Sequence, residues 1–168
     1  MRQTNWIKRA HKIATDNGFH DEKYSDKHFV SLIVAELYEA VEAHRENRRA
    51  DGIQFQENKA KEGFQKSFEK YIKDTMEDEM ADAYIRILDL AGERKEDIAL
   101  YHIEIQENQS FNEQIHDIAK DLLNTGNLNT AASTIVCLSY LTGIHLEYHI
   151  ELKMKYNDTR EYKHGKRY

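Results

Sequence analysis

Two short stretches of the sequence each carry a pair of carboxylates three residues apart. The first pair is Glu36 and Glu39, and the second is Glu79 and Asp82. On an α-helix this spacing places both side chains on one face, about one turn apart. Grouped carboxylates bind hard metal ions and take part in proton transfer. The chemistry available to these residues therefore depends on whether two helices bring the pairs together.

Glu36 falls on the apolar side of its expected helix. With residues placed at roughly 100° each around the helix axis, it lies among side chains such as Ile33 and Ala40. Glu39 lies beside Glu36, whereas Glu42 turns towards solvent. We therefore expect the first pair to border the protein interior.

The second stretch predicts a helix that is buried on nearly all sides. Glu79, Asp82, Arg86 and Asp89 form one narrow polar seam along it. Apolar residues and alanines cover nearly all the rest of residues 80–91, which is typical of a buried helix.

A buried carboxylate without a partner is costly, so several of them require protons, basic partners or metal ions. Four carboxylates on two facing helices predict a metal site. All-oxygen ligation suits a hard cation such as Mg²⁺. An alternative interpretation treats Glu79 and Asp82 as the solvent-facing strip of an ordinary core helix, but it does not account for Glu36.

The length and composition predict a single all-α domain. A chain of 168 residues can bury a substantial core. It contains no proline and 7 glycines, and apolar residues recur at helical spacing along it. We expect residues 1–168 to form one helical bundle built around a four-helix core.

Several classes of partner are disfavoured. A net charge of −6 argues against general nucleic-acid binding. No apolar run approaches the roughly 20 residues needed to cross a bilayer, and the N-terminus lacks the apolar core of a signal peptide. Cys137 lies in the apolar run 134–141, so we expect a packed thiol. This usage predicts a cytoplasmic protein.

Helical periodicity predicts helices over about 3–16, 27–46, 60–73, 75–93, 111–124 and 131–143. Asn17 and Gly18 mark the end of the first helix. His20 and His28 flank the start of the next one, and either could contact a ligand, although a surface or capping role is the commoner case. Residues 46–58 have the polar composition of a long loop. We expect residues 47–74 to be an insertion or a mobile segment. The pattern leaves open whether residues 60–93 form one helix or two.

A short internal echo suggests a degenerate duplication of a helical hairpin. The string YHIEI at residues 101–105 recurs as YHIEL at residues 148–152. An apolar helix ending in glycine, Gly92 or Gly143, precedes each copy. His102 and His149 belong to this repeated scaffold, so we expect structural roles for both. A match of five residues also arises by chance.

The C-terminal segment, residues 148–168, is basic although the chain is acidic. From residue 153 onward it holds six lysines and arginines against two acids. One interpretation is a solvated tail. The other is that these cations bind the far side of a polyphosphate that Mg²⁺ bridges to the carboxylates.

The acidic stretches resemble those of the all-α nucleoside triphosphate pyrophosphohydrolases, the superfamily of MazG-like proteins, dimeric dUTPases and dCTP pyrophosphatases. Residues 35–40 and 78–83 carry the resemblance, as AELYEA and DEMADA. Residues 17–21 and the C-terminal segment are similar to flanks seen in MazG-like members. Two departures stand out: about forty residues separate Glu39 from Glu79, and residues 96–147 exceed a minimal four-helix unit.

This resemblance implies roles for nine residues, and it departs at Arg86, where several members have tyrosine. Glu36, Glu39, Glu79 and Asp82 would be catalytic and would hold Mg²⁺, with Mn²⁺ as a substitute. The residues that would contact phosphate or nucleotide are Lys153, Asn157, Arg160, Lys163 and Lys166. Arg86 lies on the same seam, and could bind a phosphate or pair with Asp82 or Asp89.

The resemblance further implies hydrolysis of a nucleoside triphosphate between its α and β phosphates, giving a monophosphate and pyrophosphate. It also implies a homodimer or homotetramer. The sequence does not indicate a base or sugar preference.

Two other functions compete with this one. A di-iron carboxylate bundle needs Glu-x-x-His motifs, and these occur at Glu113 with His116 and at Glu161 with His164. A helical module that only binds a partner protein would keep its acids for structural reasons, and their removal would alter no activity.

Overall fold

The computed structural model describes residues 2–106 and 108–162, apart from the Arg2 side chain, and throughout these ranges the fold is all-helical. Within them there are eight α-helices and no strand. In chain order the helices are α1 (Arg2–Asp16), α2 (Asp26–Arg45), α3 (Gly52–Glu62), α4 (Phe64–Tyr71), α5 (Met76–Arg94), α6 (Phe111–Thr125), α7 (Leu128–Leu141) and α8 (Leu146–Asn157). The predicted all-α bundle is therefore confirmed.

Helix α5 is the centre of this bundle. It packs against α1, α2, α7 and α8, and most of its side chains are buried, as the sequence predicted. The Thr75 hydroxyl begins the helix by accepting a hydrogen bond from the Asp78 backbone N–H. Lys95, in the left-handed conformation, ends it. The predicted interval of 75–93 is thus correct within about one residue at each end.

Helix α2 lies along α5 and is also packed by α6, while α7 joins α6 to the far side of α5. Their apolar faces form one continuous core, with Ile33, Leu37, Met80, Leu88 and Ile115 among its fully buried side chains. In the described part of the chain, no helix combines the length and the apolar character that crossing a membrane requires.

The segment 47–74 carries two helices, so the prediction of a polar loop over residues 46–58 was wrong. Asp51 caps α3 by accepting from the Gln54 N–H, yet Phe55 is the only residue of α3 that is fully buried. One anchor is too little to produce a visible amphipathic pattern. Gly63, with φ of 87°, separates α3 from α4, so residues 60–73 are not one helix and residues 60–93 are not continuous.

Helices α3 and α4 pack on each other and on α8 through a second apolar cluster. Its fully enclosed members are Phe55, Phe68, Ile72 and Tyr156. The rings of Phe68 and Tyr156 stack with centroids 4.4 Å apart. This cluster fixes α8, and therefore the side chains that α8 directs towards α5.

The internal echo does not correspond to repeated secondary structure. Residues 101–105 lie outside any helix, whereas residues 148–152 belong to α8. His102 is accordingly exposed, while His149 is buried and its pKa is lowered to about 4, chiefly by burial. Gly92 lies inside α5 and does not end it.

Gly92 is required for another reason, the close approach of α1. A Cβ atom at residue 92 would lie 2.6 Å from the Cβ atom of His11. This is shorter than real Cβ contacts, and the atom it meets belongs to the helix-anchored part of the side chain. Gly92 therefore sets the distance between α1 and α5.

We predict that Gly92→Ala lowers the free energy of unfolding by about 1–2 kcal/mol. Alanine has the higher helix propensity, but the steric clash of its Cβ atom with His11 destabilises the fold by more than this propensity stabilises it. Gly52→Ala is the matched control, since no atom lies within 4 Å of its added Cβ. Urea denaturation followed by circular dichroism measures both. Equal stability of wild type and Gly92→Ala would contradict the packing described here.

Candidate metal centre

Three of the four predicted carboxylates converge where α2 and α5 pack. Glu36 comes from α2, and Glu79 and Asp82 come from α5. One carboxylate oxygen of each lies within 4.8 Å of the other two. Glu36 and Glu79 are each only 4% exposed, and Asp82 is partly buried. The interpretation of Glu79 and Asp82 as a solvent-facing strip therefore does not describe this cluster.

Glu39 does not join them. Its side chain is exposed, and so are Ala35 and Tyr38, because this side of α2 faces solvent. The expectation that Glu39 borders the interior beside Glu36 was wrong. Glu39 still lies close enough for its charge to raise the pKa of Glu36.

Asp78 is a member of the cluster that sequence reasoning missed. It is 1% exposed, and its Oδ2 atom accepts from the backbone N–H of Asp74 at 3.1 Å. Its Oδ1 atom is buried and has no hydrogen-bond partner among the described residues. The available signal was its position four residues before Asp82, which places both on one face of α5.

Two cations enter the cluster from opposite sides. The Arg86 Nε–H donates to Glu36 Oε1 at 2.6 Å. The Lys153 ammonium, buried on α8, lies 2.8 Å from Asp78 Oδ2 and 3.2 Å from Asp82 Oδ2. The sequence left open whether Arg86 pairs with Asp82 or Asp89 or meets a phosphate, and the structure shows that its ion pair is with Glu36.

Among the residues that the structure describes, the acids of the cluster nevertheless outnumber these two cations. Burial is the main cause that raises the pKa of Glu36 to about 7 and that of Glu79 to about 9, with neighbouring carboxylates adding to it. Burial alone would lower the pKa of Lys153, but the negative charges of Asp82, Asp78 and Glu79 more than offset it and raise that pKa. The Glu79 carboxyl group has no hydrogen bond or ion pair to any residue that the structure describes.

A pocket opens beside this cluster between α1, α5 and α8. Its polar lining consists of Asn17, Asp82, Arg86, Asp89 and Asn157. Phe19 forms an apolar wall, and its ring centroid lies 5.9 Å from the Arg86 guanidinium carbon. The pocket thus offers a guanidinium, amides and an aromatic ring next to the carboxylates.

Asn157 lies at the inner end of this pocket. Its side chain is 6% exposed, and its Oδ1 atom has no hydrogen-bond partner among the described residues. Its backbone carbonyl accepts from Asn17 Nδ2 at 3.2 Å. The structure therefore joins the two flanks, residues 17–21 and the C-terminal segment, that the sequence singled out separately.

The remaining predicted cations lie further along the chain. Arg160 is partly buried, with its guanidinium carbon 5.6 Å from the centroid of the Tyr156 ring. The Tyr162 hydroxyl donates to Asp21 Oδ2 at 2.6 Å, and its ring lies against Gly18. This contact holds the segment beside the mouth of the pocket. Lys163 and Lys166 lie outside the described residues.

The donor set fits a hard divalent cation. It consists of carboxylate oxygens alone, which suit such an ion. The Oδ1 atom of Asp78 nearby has no partner among the described residues. One oxygen each of Asp74, Asp78 and Glu79 forms a second close group. A di-iron site would need histidine ligands here. Instead, Glu113 caps α6 and His116 lies 3.2 Å from the Tyr38 hydroxyl, while His164 lies outside the described residues.

Comparison of the chain with protein-family models, with curated proteins and with solved structures finds no match.

We predict that Glu79→Gln flattens the pH dependence of stability in metal-free protein. The folded-state pKa of Glu79 is about 9 and its ordinary value is 4.5. Between these values the folded protein keeps a proton that the unfolded chain releases, so its stability falls as the pH rises. Glu36 contributes in the same direction only up to about pH 7, so the interval from pH 7 to 9 isolates Glu79.

The measurement is urea denaturation in EDTA at both ends of that interval. Wild type should lose stability, and Glu79→Gln should lose less and be more stable at the upper end by about 1–3 kcal/mol. Glu42→Gln, an exposed carboxylate paired with Arg45, is the matched control and should follow wild type. Identical slopes for wild type and Glu79→Gln would contradict the burial of an ionisable Glu79.

Proposed function

We propose that this protein is a Mg²⁺-dependent nucleoside triphosphate pyrophosphohydrolase, with Mn²⁺ as a possible substitute. The reaction is cleavage of a ribo- or deoxyribonucleoside triphosphate between the α and β phosphates, giving the monophosphate and pyrophosphate. The observation that carries the proposal is the convergence of Glu36, Glu79 and Asp82 beside a pocket that also presents Arg86. The resemblance of the acidic stretches to the all-α pyrophosphohydrolases supports the same reaction.

Glu36, Glu79 and Asp82 are the residues that would hold the metal. Asp78 lies next to Glu79 and contributes the negative charge of a fourth carboxyl group. When bound, Mg²⁺ supplies charge stabilisation at phosphate oxygens and lowers the pKa of a coordinated water. Glu39, exposed at the edge of the cluster, is the predicted site residue with least support as a ligand.

Arg86 is the residue best placed to bind the phosphate chain. Only its Nε atom is hydrogen-bonded to a described residue, so both Nη groups remain for phosphate oxygens. A guanidinium binds two phosphate oxygens at once, which orients the chain as well as neutralising it. The bond from Nε to Glu36 fixes the direction of this guanidinium.

Lys153 and Asn157 complete the inner side of the site. Lys153 neutralises Asp78 and Asp82 and places positive charge close to the bound polyphosphate. The unpartnered Asn157 Oδ1 can accept a hydrogen bond from a sugar hydroxyl or a base amino group. Arg160 would add positive charge next to Asn157, and by the resemblance Lys163 and Lys166, which lie outside the described residues, are further candidates for phosphate contacts. We further propose that the protein is cytoplasmic and forms a homodimer or homotetramer.

Incubation with the common ribo- and deoxyribonucleoside triphosphates, in Mg²⁺ or EDTA, tests the reaction. We expect Mg²⁺-dependent formation of monophosphate and pyrophosphate, separated by anion-exchange chromatography. Glu79→Gln should reduce the rate by at least about 100-fold, the usual cost of losing electrostatic stabilisation at a reacting centre. Glu42→Gln should retain the wild-type rate.

Other products would count against the proposal in distinct ways. Orthophosphate with diphosphate would overturn the position of cleavage. Turnover that survives Glu79→Gln would place the active site elsewhere. Absence of turnover with every nucleotide would favour the partner-binding module, provided that both variants remain folded.

A further inference from the structure

A second group of metal-binding side chains lies on the α1 side of α5. His11 belongs to α1, His20 to the connection between α1 and α2, and Glu93 to the last turn of α5. One ligand atom from each lies within 4.8 Å of the other two. Unlike the carboxylate cluster, this group offers two imidazoles.

Asp89 orients both imidazole rings. His11 Nδ1 and His20 Nε2 lie 2.9 and 2.8 Å from the same atom, Asp89 Oδ1. A carboxylate only accepts hydrogen bonds, so each of these ring nitrogens carries its hydrogen. In the neutral rings the lone pairs therefore lie on the opposite nitrogens, His11 Nε2 and His20 Nδ1.

Those two nitrogens both face Glu93. His20 Nδ1 lies 3.5 Å from Glu93 Oε2, and His11 Nε2 lies 4.0 Å from it. Ligands that share a tetrahedral Zn²⁺ ion are about 3.4 Å apart, given metal–ligand distances of about 2.0–2.1 Å. Small side-chain movements would therefore place all three donors around one ion.

The carboxylate behind the histidines strengthens this interpretation. Histidines that bind metals almost always donate their other ring N–H to a carboxylate, a carbonyl or a water, which fixes the tautomer and the ring orientation. Here one carboxylate serves both rings. Nitrogen-rich ligation also favours Zn²⁺ and similar ions over Mg²⁺.

The rings are held in place independently of any ion. The His20 ring stacks on Phe29 with centroids 5.2 Å apart and an interplanar angle of 17°. His11 is held against α5 by the close approach at Gly92. The side chain of Glu93, about half exposed, is the one donor with freedom to adjust.

We infer that His11, His20 and Glu93 form a Zn²⁺-class metal site, with Asp89 as the carboxylate that positions the histidines. Because the Glu93 side chain is about half exposed, water would supply the fourth ligand. The ion would link α1, the α1–α2 connection and α5. Because Asp89 also lines the pocket beside Arg86, the site would fix one wall of that pocket. The inference does not depend on the proposed reaction.

The position of His20 corrects the sequence analysis, which favoured a surface or capping role for this residue. Its side chain is only 10% exposed. His28 instead stacks on Tyr24 with centroids 4.1 Å apart. No motif in the sequence joins His11, His20 and Glu93, since they come from three separate segments.

Zn²⁺ titration of metal-free, full-length protein by calorimetry tests the inference, with Co²⁺ absorption as a reporter of imidazole ligation. We expect one Zn²⁺ per chain in wild type and in Glu79→Gln. Asp89→Asn, which removes only the carboxylate behind the histidines, should weaken Zn²⁺ binding by about 10- to 100-fold. His20→Gln and Glu93→Gln each remove a ligand, so each should weaken binding by more than about 100-fold. His102→Gln, an exposed histidine, should bind as wild type.

The alternative is an ion-pair network in which protonated histidines hold Asp89 and Glu93 without a metal. Absence of Zn²⁺ uptake by folded wild type would support that network and overturn the inference. Wild-type affinity in folded Glu93→Gln and His20→Gln would also overturn it. So would Zn²⁺ binding that Glu79→Gln abolishes, because the ion would then occupy the carboxylate cluster.

Discussion

The structure depends on one electrostatic constraint, the burial of more carboxyl groups than cations where α2, α5 and α8 meet. Among the described residues, Arg86 pairs with Glu36, and Lys153 pairs with Asp78 and Asp82. Burying such groups costs free energy unless each gains a charged or hydrogen-bonding partner. The two cations meet part of this need, and the raised pKa values of Glu36 and Glu79 show that part of it remains. The same imbalance is the physical basis of the proposed divalent-cation site.

Close packing of α1 and α8 on α5 maintains this arrangement. Gly92 lets α1 approach α5, and the aromatic cluster around Phe68 and Tyr156 fixes α8, which brings Lys153 to Asp78. The pocket lies where the same three helices meet, so in the proposed function the cations that stabilise the buried acids would also be close to the polyphosphate. Stability and the proposed function therefore depend on the same contacts.

Periodicity in the sequence was enough to predict α1, α2, α5 and the inward direction of Glu36, because a buried acid on an apolar stripe is visible without coordinates. It misplaced Glu39, since no pattern within α2 reveals which side a neighbouring helix leaves uncovered. Asp78 was missed, and a surface or capping role was favoured for His20, because their partners, Lys153 and Asp89, are distant in the chain. Helix α3 was missed because one buried phenylalanine leaves almost no periodic signal.

Crystals of the protein soaked with Mn²⁺ would test the central claim most directly, because the anomalous scattering of Mn²⁺ locates the ion without reference to activity. The account predicts an anomalous peak with Glu36, Glu79 and Asp82 among its ligands. Comparison with metal-free crystals would show whether Arg86 keeps its bond to Glu36. A peak only at other residues would contradict a metal centre at this position. So would the absence of any peak in crystals in which Glu36 is still paired to Arg86 and Lys153 is still paired to Asp82.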